Sequence, residues 1–336
     1  MNIETELLNK LFLKRTKKSK NRTTPRVSIT SYFSAMHLIH MSNKIQNIPN
    51  YKERYDIVEK YEFIEIGKIN KKGIEYLPIN EKFVLLEYSN QTIPFNTFLF
   101  QLPSVSLFIY YVLDSYLYLL NTFRELENIC FFDLSTEKIE FNEKYKPILV
   151  NFENSFEKGS LTRLLERKTD FTYSPLEVHV LFFLIRNEVE TLTLDMIHSI
   201  SKHFISQNFN QSTKILEQYT TLLEQCTKTL EQYVNQPKKI IVKDILSHEN
   251  TWDHYSMSIL YLHIIQKISD FFAPEQIPFI KELISLLNKN IDPDPHLRET
   301  IENTLNKVAE LYKIHDDWIF IKKWNKMDVK ELYETM

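Results

Sequence analysis

The run Cys130-Phe131-Phe132-Asp133-Leu134-Ser135-Thr136-Glu137-Lys138-Ile139 decides how this chain is read. Three apolar residues lead into an aspartate, a polar stretch follows, and the apolar segment Ile139–Phe141 resumes. That alternation describes a strand, a loop that displays a carboxylate, and a second strand. A further apolar segment, Ile148–Phe152, lies within Pro147-Ile148-Leu149-Val150-Asn151-Phe152-Glu153. Asp133 and Asn151 are 18 residues apart, which leaves room for a loop and a two-stranded ribbon.

Upstream, Phe98–Leu120 is almost continuously apolar. Gln101, Pro103 and Asp114 interrupt it, so it reads as a buried helix and not as a membrane span, with a loop expected over Asn121–Phe131. Phe63–Ile66 and Phe83–Tyr88 read as strands of a small sheet. Ser31–Gln46 reads as a helix, capped by Ser31 or Thr30, with Phe33, Met36, His37, Ile39, His40 and Ile45 near one broad face. Downstream of about residue 175 the pattern is helical. Within it Leu216-Glu217-Gln218, Leu223-Glu224-Gln225 and Leu230-Glu231-Gln232 repeat at seven residues, as do Tyr219, Cys226 and Tyr233. This coiled-coil-like stripe is expected to pack on its own domain, with a partner helix as the other reading.

Composition narrows the chemistry. The 336 residues include three glycines, Gly67, Gly73 and Gly159, where average usage would give about 23. A loop that cradles phosphate needs closely spaced glycines, so Walker, Rossmann and kinase-type Gly-rich loops are excluded. No G-x-S-x-G, H-E-x-x-H or C-x-x-C occurs. His37 and His40 have a helical metal-binding spacing but no acidic or cysteine neighbour, so core or surface histidines are expected. Two cysteines do not make a disulfide framework, and Glu4 and Glu6 near the start do not fit a signal peptide; a cytoplasmic location is expected. Net charge is −3, but residues 1–50 carry nine Lys or Arg against two Glu. The excess sits in Lys14, Arg15, Lys17, Lys18, Lys20, Arg22 and Arg26. Contact of 14–26 with nucleic acid or an acidic surface is one reading; a solvated, partly disordered arm over 1–30 is the other, favoured because no aromatics interleave the run.

Five short motifs now line up in order. Cys130–Ile139 resembles the protein-kinase catalytic loop H-R-D-L-x-x-x-N, and Val150-Asn151-Phe152-Glu153 stands where D-F-G would. Tyr173-Ser174-Pro175-Leu176-Glu177-Val178 resembles A-P-E with its proline displaced. Trp252-Asp253-His254-Tyr255-Ser256 resembles D-x-W-S-x-G, and Asp294-Pro295-His296-Leu297-Arg298 resembles D-P-x-x-R. The style around Asp133 and Trp252 is also similar to kinase-like proteins of large DNA viruses. The resemblance implies an α+β, two-lobed kinase-like fold. It divides the chain into a basic arm (1–30), a reduced N-terminal lobe (31–90) and a large, mainly helical C-terminal lobe (91–336) with an insertion over 178–250.

The resemblance also assigns roles. Asp133 takes the place of the catalytic base, Glu87 and Tyr88 that of the nucleotide hinge, and Glu177, Arg298 and Asp253 structural places. Lys138 and Asn151 stand where both Mg²⁺ ligands belong. An amide is a weak ligand for a hard cation, and a lysine opposes one. No Asp or Glu occurs from Leu7 to Lys52, so the helix 31–46 cannot supply the glutamate of the family's lysine–glutamate pair, and Thr30 ends the echo Val27-Ser28-Ile29-Thr30 of V-A-I-K. Phe132 replaces the loop arginine. The resemblance therefore implies a pseudokinase with no cofactor expected, nucleotide binding without metal left open, that acts as an interaction module with protein partners on the 178–250 insertion. The alternative is a divergent active kinase with Asp133 as base and Lys138 in place of a metal.

Overall fold

A computed structural model describes residues 26–64, 82–160, 173–209, 216–269 and 278–314. In chain order the elements are β1 (Val27–Ser31), α1 (Tyr32–Ile45), β2 (Val58–Ile64), β3 (Phe83–Tyr88), β4 (Ile93–Pro94), α2 (Phe95–Phe100), α3 (Val105–Glu125), β5 (Ile129–Cys130), β6 (Ile139–Phe141), β7 (Pro147–Leu149) and β8 (Phe156–Glu157). Among the described residues seven helices follow: α4 (Leu176–Arg186), α5 (Leu194–Asn208), α6 (Leu216–Leu230), α7 (Lys238–Leu246), α8 (Trp252–Ser269), α9 (Pro278–Asn290) and α10 (Ile301–Ile314). The protein is mixed α+β, dominated by helix, with small antiparallel sheets. Among the described residues no helix is long and apolar enough to cross a membrane.

The described residues fall into two compact units. One comprises those of Met1–Phe98 with Glu137–Glu153, the other those of Leu99–Thr136 with Asn154–Met336. The sequence suggested a single division near residue 90. The units interleave instead, because β6 pairs with β4, β7 pairs with β6, and Leu149 bridges to Tyr55.

In the first unit β3 is the central strand of the order β1-β3-β2, and both neighbours are antiparallel to it. Val27–Thr30, expected within the basic arm, forms most of β1. Residues 1–25, with most of the basic run, lie outside the described residues, as does Ile66 of the expected strand 63–66. α1 begins where Ser31 accepts a hydrogen bond from the Ser34 N–H, an N-cap. Its buried face is Ala35, Leu38, Ile39, Met41, Ser42 and Ile45; Phe33 and His40 are exposed. Of the expected face, Ile39 and Ile45 are buried and Met36 and His37 half-buried, while Phe33 and His40 lie outside it. Small Ala35 and Ser42 belong to the buried face: Ser42 Oγ donates to Leu38 O and accepts from Val58 N–H at 3.0 Å, which docks β2.

In the second unit the apolar run breaks at Pro103, and Ser104 caps α3 by accepting from Leu107 N–H. The loop expected after Leu120 is helix as far as Glu125. Asn121 and Thr122 satisfy their side chains on the carbonyls of Leu117 and Tyr118, one turn back, and Phe123 is buried. The heptad stripe packs on its own unit: Cys226, Leu230 and Tyr233 are buried in the core around α4, α5 and α8, with Tyr219, Leu222 and Leu223 against it. Leu230→Ala should lower stability by about 2–5 kcal/mol, and exposed Glu224→Ala should change it by less than about 0.5 kcal/mol, both read from urea unfolding of the full chain.

Candidate functional site

Asp133 sits in the second unit, and the loop that carries it is held from behind. Phe132 and Asp133 both adopt left-handed backbone, φ 56° and 60°. For residues other than glycine this costs on the order of 1–3 kcal/mol each. Asp253, in the first turn of α8, offsets it: its carboxylate accepts the N–H groups of Phe131 at 2.7 Å and Phe132 at 2.8 Å, with the Cys130 thiol at 3.7 Å. Ser155 Oγ donates to Phe131 O. Asn154 Nδ2 donates to Asp133 Oδ2 at 2.9 Å, which ties the carboxylate to a residue 21 positions further on. Burial pushes the Asp253 pKa up, and the two backbone N–H groups pull it back. Burial also pushes the Cys130 thiol well up, and the Asp253 charge adds to that. Cys130 is therefore no nucleophile. Where the family pattern has arginine, Phe132 packs edge-on to Phe156 (5.8 Å between centroids) and against Trp252 (6.2 Å).

Glu177 and Arg298, 121 residues apart, meet in a buried bidentate ion pair at 2.6 and 2.8 Å. Arg298 also donates to Thr251 Oγ1 and Asp292 O, and its guanidinium lies 5.0 Å from the Tyr255 ring centroid. Trp252 Nε1 donates to Glu177 Oε1 at 3.0 Å. One carboxylate thus joins α4 to the start of α8 and to the segment before α10.

The remaining candidates belong to the first unit. Lys138 is buried, and its carbonyl accepts from Val150 N–H at 3.0 Å. Asn151, at φ 60°, turns its amide oxygen to the Glu153 N–H, an Asx-type turn. Glu87 and Tyr88 end β3, and the backbone donors that follow are taken. Tyr88 N–H donates to Arg26 O at 2.9 Å, Ser89 N–H to Ile57 O at 3.2 Å, and Asn90 N–H to Asp56 Oδ1 at 2.9 Å. Beside them lies a charge cluster that the sequence did not reveal. Arg26 Nη1 bonds Asp56 Oδ2 at 3.2 Å and Glu140 Oε2 at 2.8 Å, and its guanidinium stacks 5.4 Å from the Tyr88 ring centroid. Thr92 Oγ1 bonds the same Glu140 oxygen. Burial pushes the Asp56 carboxyl up to about 6, against Arg26 and the Asn90 N–H, which lower it.

Arg26 was hidden at the end of the basic run, where a solvated arm was expected; it is committed within the fold. Asp56 and Glu140 carried no motif. The one available signal was that Glu140 interrupts an otherwise apolar strand. Among the described residues no group of three His, Cys, Asp or Glu side chains is placed to hold a metal ion. No protein-family model matches this chain, and no curated protein matches it.

Two outcomes follow. Arg298→Ala should cost about 3–5 kcal/mol, since it strands a buried carboxylate, and Asp253→Ala on the order of 3 kcal/mol, since it strands two backbone donors; urea unfolding reads both. Burial also lowers the pKa of His179 to about 3 and of His254 to about 4. Between those values and about 6.5 the unfolded chain binds more protons than the folded one, so the second unit should lose stability as pH falls through that window. Asp56, raised to about 6, has the opposite sign: its contribution is lost as pH rises through about 6. Unfolding midpoints against pH should therefore slope less in His254→Gln and more in Asp56→Asn.

Proposed function

We propose that this chain is a protein-kinase-like protein of the two-lobed type, in which the first unit corresponds to a reduced nucleotide lobe and the second to the helical lobe, and that it acts as a pseudokinase. Its role is that of an interaction or regulatory module. The observation that carries the reading is the commitment of the hinge. In an active kinase that strand must offer backbone groups to a base; here the N–H groups of Tyr88, Ser89 and Asn90 are used by Arg26, Ile57 and Asp56. The Arg26–Asp56–Glu140 cluster stands beside them.

Other features support the same reading. β1, which carries the V-A-I-K echo, runs directly into α1, as the family's lysine strand precedes its glutamate helix. Thr30 and a helix without carboxylates occupy those two places, so no ion pair forms to grip phosphate. Lys138, which the alternative reading needs in place of a metal, is a buried side chain. Meanwhile the Glu177–Arg298 pair and the Asp253 contacts hold the scaffold. Retained framework without its chemistry is the expected state of a protein selected for its surfaces. The insertion offers a polar face to partners, with Thr220, Thr221, Glu224, Gln225 and Lys228 exposed on α6 opposite the buried stripe.

Thermal melting with ATP, with and without Mg²⁺, tests the reading. No Mg²⁺-dependent rise in Tm is expected, and a clear rise contradicts it. A radiolabel transfer assay is expected to stay at background in the wild type; transfer that disappears in Asp133→Ala would establish the active-kinase alternative.

A further inference from the structure

One edge of the small sheet, with no strand paired to it among the described residues, carries a second property, independent of the kinase reading. β2 is an outer strand of the order β1-β3-β2, and from Glu59 to Phe63 its residues are exposed on both faces. A strand with an open edge presents unpaired backbone groups and is a template for another strand. This one also presents aromatic surface. Tyr61 is 50 % and Phe63 53 % exposed, with their rings 5.7 Å apart; Tyr32 sits 6.0 Å from Phe63, and Phe33, 73 % exposed, lies 5.8 Å from Tyr32. Four contiguous exposed aromatics are what interfaces use and monomer surfaces avoid.

The charges on β2 identify the occupant. A two-fold axis perpendicular to the sheet pairs a strand with its own copy, antiparallel, and keeps each face on its side. The residue at the centre then lies opposite itself. Centring on Lys60 opposes two lysines, and centring on Glu62 opposes two glutamates; both are unfavourable. Centring on Tyr61 places Lys60 opposite Glu62 of the second copy, and Glu62 opposite its Lys60, while Tyr61 meets Tyr61 on the aromatic face. Lys60 already has Glu87 at 3.9 Å on its inner side, so it would lie between two carboxylates. The irregularity in β2 between Val58 and Lys60 ends regular pairing on one side and limits slippage.

We infer that β2 pairs antiparallel with β2 of a second copy of this chain, centred on Tyr61, to give a continuous six-stranded sheet. Sedimentation velocity of the 336-residue chain over a concentration series tests this. The wild type should dimerise reversibly. Lys60→Glu and Glu62→Lys should each raise the dimer dissociation constant about tenfold or more, because each sets like charges opposite one another twice. An equimolar mixture of the two variants should dimerise as the wild type does, since unlike charges are then restored on both sides. Tyr61→Cys should form a disulfide-linked dimer under mild oxidation; the native Cys130 and Cys226 are buried. All three positions are exposed, and circular dichroism melts check that the variants fold. A wild type that is monomeric at every concentration overturns the inference, whatever else binds that edge. So does a dimer that neither charge reversal weakens, or one that Tyr61→Cys does not cross-link.

Discussion

The buried ion pair between Glu177 and Arg298 organises the second unit. It gathers α4, the start of α8 and the segment before α10 at one point, with Thr251, Trp252 and Tyr255 as its polar and aromatic lining. Two charges taken out of water stabilise a fold only when every donor and acceptor is matched, and here they are bidentate with further backbone and hydroxyl partners. The residue after Trp252 is Asp253, whose carboxylate fixes the backbone at Phe131 and Phe132. Ion pair, indole and aspartate thus form one connected support, and the left-handed turn at Asp133 depends on it.

The first unit spends its polar interactions differently. Its buried carboxylates, Asp56 and Glu140, lie beside the end of β3 and share the exposed Arg26 guanidinium. A nucleotide base would compete for the same backbone donors and would have to displace an arginine that links two carboxylates. The scarcity of glycine belongs to the same picture: no glycine precedes Gly67, and the strand that enters α1 ends in Thr30 and Ser31. The supported loop at Asp133 and the engaged donors after β3 are what the proposed reading expects of a protein that presents surfaces.

How much of this the sequence disclosed depends on the kind of residue. Ser31 as a cap, β3 over Phe83–Tyr88 and the ribbon near Ile139 and Ile148 were legible because capping and apolar strand runs are local signals. The heptad stripe announced its buried side by period alone. The Glu177–Arg298 contact spans 121 residues and was legible only through a resemblance, since no local signal joins those positions. The face of α1 was read in part: Ile39 and Ile45 are buried, but Phe33 is as apolar as Leu38, and the docking of β2 on Ser42 lies on the Leu38 side. The Arg26–Asp56–Glu140 cluster was invisible for a related reason. An arginine in a basic run and two isolated carboxylates look like surface residues until the fold brings them together.

The central claim is that the chain itself takes the backbone donors after β3, where the proposed kinase reading puts the hinge. Hydrogen–deuterium exchange at Tyr88, Ser89 and Asn90, measured with and without saturating ATP and Mg²⁺, tests it most directly. The account expects slow exchange at all three amides and no change on adding nucleotide. Fast exchange at Ser89 and Asn90, or new protection of them by ATP and Mg²⁺, would contradict it.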